Sequence, residues 1–437
     1  MAYSKVRLLL FSMAISLFFA GCSGPVFSDS NGWSQEQKDE FVEILSQDRY
    51  ASLCNLKPLY DRYRESGDTA ILSRVLVEYA RNLSDSCIDI VEFRKEQKRR
   101  REQRSIHTEY DMHIEGVDVS RILSLLSSGE SVDAILRRYL PSNPQYYRLL
   151  KSYHRYRRGG LGGERYRKLR LSLERSKLSV DEGWDRYFVV NIPSFTLEYV
   201  EDNRTVFDFP VVVGSKKWQT PVFDSTMKYV VINPTWNVPD NIARAEEIHS
   251  LLKRRDYFSR KKMIVVERGN GIGHPVDPRT VNWRRYLGKE YEKRELPYRL
   301  VQLPSGKNAL GRVKFMFPND HSVYMHDTPR KSLFKKRYRA YSHGCIRLSK
   351  PLFLLNYLAD KGNLKASRSE VKKILDSMKT TTVWLNEPIA VHIEYMTAYV
   401  DAKGRLNFYP DVYGYDSIQK FKEYDIPPSR KKDDNGS

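Results

Sequence analysis

Cysteine is scarce in this sequence, and no long apolar run is present. Four cysteines stand in 437 residues, Cys22, Cys54, Cys87 and Cys345. A disulfide framework is therefore not what makes the fold, and a chain of this length buries a core without one. The longest uncharged apolar stretch, Leu8 to Ala20, falls short of the roughly 20 residues that a membrane-spanning helix needs. Also missing are a phosphate-binding Walker loop, a glycine-rich dinucleotide fingerprint and a Gly-x-Ser-x-Gly elbow. The Cys-x-x-Cys and His-Glu-x-x-His spacings of common zinc sites are absent too. Acidic residues are outnumbered, 54 Asp+Glu against 74 Lys+Arg, for a net charge of +20. That balance calls for a polyanionic partner.

The N-terminus argues against nucleic acid as that partner. Lys5 and Arg7 precede the short apolar run, and the pattern reads as an export signal over residues 1–21. The run ends in Phe19-Ala20-Gly21-Cys22, which resembles a bacterial lipobox. The resemblance implies a diacylglycerol on Cys22. Ser23 in place of Asp implies an outer-membrane lipoprotein facing the periplasm of a Gram-negative cell. The basic surface then faces anionic lipid head groups or the carboxylates of cell-wall peptides. An oxidising compartment also permits Cys54 and Cys87 to pair. The alternative is two buried thiols acting as small hydrophobes.

Composition is that of a globular protein, 41% apolar and 29% charged. Residues 22–33 are small and polar and read as a tether. From 34 to 182 the apolar period is helical. Ser34 and Gln37 have capping-box spacing, and Phe41, Ile44 and Leu45 share a face, as do Ile71, Val75 and Tyr79. His107, His113 and His154 lie in this half without partners at metal spacing and read as surface or satisfied histidines. Near Arg186 the period becomes two. The predicted class is thus α+β: an α-helical scaffold over 34–182, then a mainly-β domain over 185–395. Residues 238–308 read as an irregular, charged insertion and 396–437 as a peripheral tail.

The chemistry concentrates in Tyr324-Met325-His326-Asp327-Thr328-Pro329 and Tyr341-Ser342-His343-Gly344-Cys345-Ile346-Arg347. A thiol attacks as thiolate and needs a base or cation to become one. His326 ends a β run and can meet a Cys on the next loop. Gly344 permits a tight turn, and the N–H groups at Gly344 and Cys345 can face an oxyanion.

The two segments resemble the signature of YkuD-type L,D-transpeptidases, a His, then about fifteen residues, then Ser-His-Gly-Cys. Arg347 where Asn is usual is similar to the larger YcbB-like subgroup. So are Thr220-Pro221 and Asn233-Pro234-Thr235-Trp236-Asn237-Val238-Pro239.

The resemblance implies a β-sandwich-like catalytic domain with 238–308 as a cap, acting on peptidoglycan tetrapeptide stems without cofactor or metal. Cys345 would attack the meso-diaminopimelate carbonyl, D-Ala would leave, and a second stem's amine would close a 3→3 cross-link. His326 would move the proton, His343, Gly344 and Ser342 would shape the site, and Arg347 would grip a carboxylate. Tyr324 and Trp236 would line the groove. Plainer alternatives stand beside these. Cys345 is a structural thiol, His326, His343 and Cys345 hold zinc, Arg347 sits in an ion pair, or Trp236 is core. The same nucleophile also suits an L,D-carboxypeptidase or attachment of a protein to the wall. A non-catalytic wall-binding scaffold is the remaining reading.

Overall fold

The computed structural model describes residues 32–159, 163–269, 273–291 and 294–422. The residues read as an export signal, Cys22 and most of the expected tether lie outside the described residues. Among those described, no helix is long and apolar enough to cross a membrane.

The N-terminal half comprises α1 Gln35–Gln47, α2 Lys57–Ser66, α3 Thr69–Ser84, α4 Ile90–Arg104, α5 Val119–Ser127, α6 Val132–Arg137, α7 Pro144–Gly159 and α8 Gly163–Arg175. The capping box forms at α1, with Gln37 N–H on Ser34 Oγ at 3.1 Å and Ser34 N–H on Gln37 Oε1 at 2.9 Å. Phe41, Ile44, Leu45, Val75 and Tyr79 all enter one buried core, with Ile71 at its edge. Trp33, placed in the tether by its sequence surroundings, stacks on Phe41 and hydrogen-bonds Ser73. Cys54 and Cys87 are joined as a disulfide. Between α4 and α5 the chain abandons the helix and runs extended: His107 N–H reaches Lys217 O at 2.8 Å, and Tyr110 bridges to Val222.

Strands follow in chain order: β1 Arg186–Asn191, β2 Thr196–Glu201, β3 Arg204–Gly214, β4 Phe223–Ile232, β5 Trp236–Asn237, β6 Met263–Glu267, β7 Pro275–Val276, β8 Tyr298–Gln302, β9 Val313–Met316, β10 Met325–His326, β11 Ala340–Ser342, β12 Ile346–Leu348 and β13 Thr381–Glu394. Nine make one sheet, ordered β11-β3-β12-β10-β9-β4-β13-β1-β2, and β2 also pairs with β3, so the sheet closes on itself. β3 makes that closure. Its first part pairs with β2 as far as Pro210, and its last residues pair with β12 and β11. Proline offers no N–H to a ladder, so the strand changes partner there. The enclosed core holds Phe188, Phe209, Val211, Val230, Phe315, Met325 and Ile346. The helix Pro351–Asp360 covers one side, with Lys350 at its N-cap.

The insertion between β4 and β9 is more ordered than its sequence suggests. A four-stranded sheet, β5-β8-β6-β7, packs over a separate core of Val238, Ile248, Phe258, Val265, Trp283 and Leu300. Its pairing joins residues far apart in sequence, Trp236 with Gln302, so no local period announces it.

The expectation of a peripheral tail from 396 onward fails over 396–422. Ala398 and Val400 enter the core of the helical half, and Tyr413 and Tyr415 are buried in the sheet's core. Arg175, fully buried at the end of α8, bonds Asp416 Oδ1 at 2.7 Å, Gln419 Oε1 at 2.7 Å and Tyr395 O at 3.1 Å. Tyrosines that bury a ring while bonding a hydroxyl read as polar in sequence, which hid this segment's packing.

Candidate active site: a half-buried cysteine and two histidines

The central strands bring the two sequence segments together. β10 and β12 run parallel, with Met325 opposite Ile346 and His326 opposite Arg347. Ile346 N–H donates to Tyr324 O at 3.1 Å, which sets Cys345 beside Tyr324. The half-buried Cys345 thiol points to Ser322 O at 3.8 Å. Burial pushes the thiol above its ordinary range, while the Tyr324 backbone N–H and hydroxyl, Arg347 and Lys314 pull it back. Lys314, on β9 opposite His326, carries no motif and escaped the sequence reading. Strand pairing brings it there and leaves no local signal in the sequence. Its Nζ lies 5.4 Å from the Tyr324 ring centre.

His326 is buried, and its Nδ1 lies 2.5 Å from Asp327 O. A carbonyl only accepts, so Nδ1 carries the proton and Nε2 keeps its lone pair. Burial, then Arg347, then Lys314 and Lys331 hold the imidazole down at about 3, so it is a neutral base at ordinary pH. Asp327 is itself fixed, its Oδ2 accepting from Arg312 N–H at 2.8 Å and its Oδ1 from Thr328 N–H at 2.6 Å. The Asp327-Thr328 part of the motif thus holds the carbonyl that sets the tautomer.

Gly344 has φ +114°, a conformation that favours glycine. Its N–H is not directed at an oxyanion, because it donates to Ser342 Oγ at 3.2 Å, and Ser342 Oγ–H donates to Cys345 O at 2.5 Å. Gly344 and Ser342 therefore shape the nucleophile loop. Among the described residues, the Cys345 N–H has no acceptor, leaving it as the available oxyanion donor. The Gly344 carbonyl accepts from Thr220 Oγ1 at 2.7 Å. Thr220 in turn accepts from Gly214 N–H at 2.8 Å, and its own N–H reaches Tyr413 Oη at 3.1 Å. A β-carbon on Gly214 would meet Trp218 O at 2.0 Å, so this support closes only around glycine. Tyr413, from the supposed tail, is thus a support of the loop.

Arg347 makes no ion pair among the described residues, and its Nε is buried without a partner. That leaves the guanidinium free for an anionic ligand beside the sulfur. Trp236 is half-buried and packs against the insertion's core. His343 approaches Glu246 of the insertion, Nε2 to Oε1 3.2 Å, and lies 5.5 Å from the Trp218 ring, on which His107 stacks at 4.1 Å. His107 is thus an exposed histidine with an aromatic partner, in keeping with the surface or satisfied reading. The ligand atoms of His326, His343 and Cys345 do not converge as a metal set. The group of three that does among the described residues is Cys54, Cys87 and Glu174, at the disulfide.

A cation-flanked thiol and a neutral imidazole of fixed tautomer, carried on two segments that pair in register, are the groups that acyl transfer needs. Residues 185–383 match the family profile of the YkuD L,D-transpeptidase catalytic domain. A Haemophilus influenzae protein named "Putative L,D-transpeptidase" is 31% identical over 247 residues, 56% of this chain and 48% of that one. The chain thus spans about half the length of the curated relative it matches. Two solved structures also overlap 48% of this chain. One is an L,D-transpeptidase from Mycobacterium smegmatis, at 15% identity, 58% of its own length and a TM-score of 0.21. The other is L,D-transpeptidase 3 from Mycobacterium tuberculosis, at 12%, 61% and 0.20. Superpositions this loose add nothing to the assignment. Over residues 185–383 the chain is thus similar to the catalytic domain of YkuD L,D-transpeptidases.

Proposed function

We propose that this chain is a peptidoglycan L,D-transpeptidase of the YcbB-like kind that forms 3→3 cross-links through a thioester on Cys345. The observation that carries this is the pairing of a reserved base with a cation-flanked thiol on adjacent parallel strands, His326 opposite Arg347 and Cys345 next to Ile346. In this reading the sulfur attacks the meso-diaminopimelate carbonyl of a tetrapeptide stem and its proton passes to Nε2 of His326. The bond to D-Ala breaks, and the leaving amine takes that proton. The developing oxyanion takes the Cys345 N–H, and the free Arg347 fork holds a stem carboxylate. The amine of a second stem then displaces the sulfur. The N-terminal pattern supports export and a lipid on Cys22, as in an outer-membrane lipoprotein facing the periplasm.

The test is mass spectrometry of disaccharide-tetrapeptide incubated with the full chain in detergent, beside Cys345→Ala. Dimers with loss of D-Ala from the unsubstituted chain alone are expected. Tripeptide alone would make it an L,D-carboxypeptidase, and folded protein giving neither product would return the scaffold reading.

A further inference from the structure

An acyl-enzyme needs an acceptor, and the insertion brings one acidic group to the nucleophile loop. Ala243–Glu247 forms a π-helical turn, a rare form that tends to mark functional positions. Glu247 on that turn is buried, its carboxyl pushed up by burial and held by Tyr257. Glu246 is different: its side chain is 49% exposed, and it meets His343 two residues before the nucleophile.

The contact, Nε2 of His343 to Oε1 of Glu246 at 3.2 Å, ties the insertion to the loop that carries Cys345. Burial keeps His343 below its ordinary value, and the charges facing it are Arg347, Arg330 and Lys217 against the single carboxylate of Glu246. A cationic ligand approaching this rim is repelled by every one of those side chains except Glu246.

We infer that Glu246 and His343 form the acceptor half of the site, where Glu246 attracts a protonated primary amine and holds His343 as the base that deprotonates it, so that an amine rather than water takes the acyl group. The inference rests on the acyl-enzyme reading above. The ammonium gives one proton to the His343 imidazole, and its nitrogen attacks the thioester carbonyl. A C–N bond forms, the C–S bond breaks, and the second N–H proton goes to the departing sulfur, restoring the Cys345 thiol.

The experiment follows disaccharide-tetrapeptide with the full chain, Glu246→Gln and Glu246→Asp. D-Ala release reports acylation, and the dimer-to-tripeptide ratio reports the acceptor. Glu246→Gln is expected to keep D-Ala release within about twofold and to lower the ratio by about tenfold or more, with partial recovery in Glu246→Asp. An unchanged ratio in folded Glu246→Gln, or a fall in D-Ala release without a change in ratio, would overturn the acceptor role. An unsubstituted chain that yields tripeptide but no dimer would overturn it too, yet leave the acyl-enzyme standing. One that releases no D-Ala would overturn the acyl-enzyme reading, and this inference with it.

Discussion

His326 and Arg347 face each other across the parallel pair β10–β12, a base placed opposite a permanent cation. With burial, that cation keeps the imidazole at about 3 in the folded protein, against 6.5 ordinarily. Between those values the unfolded chain binds a proton on this residue and the folded chain does not. The folded state therefore holds its full stability above pH 6.5 and loses it as pH falls toward 3. At pH 5 the loss attributable to this group is about 2 kcal/mol, at about 1.4 kcal/mol per unit. His326→Gln is expected to remove that share of the acid sensitivity. Urea unfolding at pH 7.5 and 5.0 measures it, and equal sensitivity in both proteins would contradict the account.

The thiol offers a second check. Lys314 and Arg347 both favour the Cys345 thiolate, against a burial that disfavours it. Lys314→Met is expected to slow iodoacetamide alkylation of Cys345 at pH 7.5 by about three- to tenfold, since each pH unit of thiol shift is a factor of ten in thiolate. The alkylation midpoint should rise correspondingly. A rate and midpoint matching the unsubstituted protein would mean that Lys314 serves packing alone.

Support of the loop from below is the third. Thr220→Val leaves the Gly344 carbonyl without its donor at 2.7 Å, and Tyr413→Phe leaves Thr220 N–H without its acceptor and Gly214 O without its donor. Each orphaned buried group costs about 1–3 kcal/mol. Because both substitutions act through the loop that carries Cys345, acylation of the thiol is expected to fall by about tenfold in each. Thermal unfolding and acylation by intact mass, measured together, test this. A loss of stability with undiminished acylation would show that the relay holds the fold but not the nucleophile.

Much of this site was legible because its chemistry is local in sequence. Ser342-His343-Gly344-Cys345 and His326-Asp327-Thr328-Pro329 are short motifs whose residue types state their own needs, and the helical faces of α1 and α3 declared themselves by period. What stayed hidden was assembled from a distance. Lys314 reaches the sulfur only because β9 pairs with β10, and Glu246 only because a separately folded insertion leans on the loop. Tyr413 matters because the chain's end packs under Thr220. None of these has a spacing relation to Cys345, so no period or motif connects them. Trp236, for which both groove and core were open in the sequence, packs at least one side on the insertion's core.

The last prediction separates backbone from hydrogen bonds in the nucleophile loop. Gly344 sits at φ +114°, where an L-residue is strained by about 1–3 kcal/mol. A β-carbon there would meet only Gln219 O, at 3.7 Å, an ordinary contact, so Gly344→Ala acts through the dihedral and not through a clash. The loop can relieve the strain only by moving Gly344 N–H off Ser342 Oγ, which also holds the Cys345 carbonyl. Ser342→Ala deletes both bonds and leaves the dihedral allowed. If position of the sulfur is what the loop supplies, Gly344→Ala should slow acylation by about a hundredfold and Ser342→Ala by about tenfold. The double substitution should then be little worse than Gly344→Ala alone, because the two act on one unit. Additive losses would mean that the dihedral and the serine bonds are independent supports, and near-normal acylation in Gly344→Ala would mean that the turn does not set the sulfur.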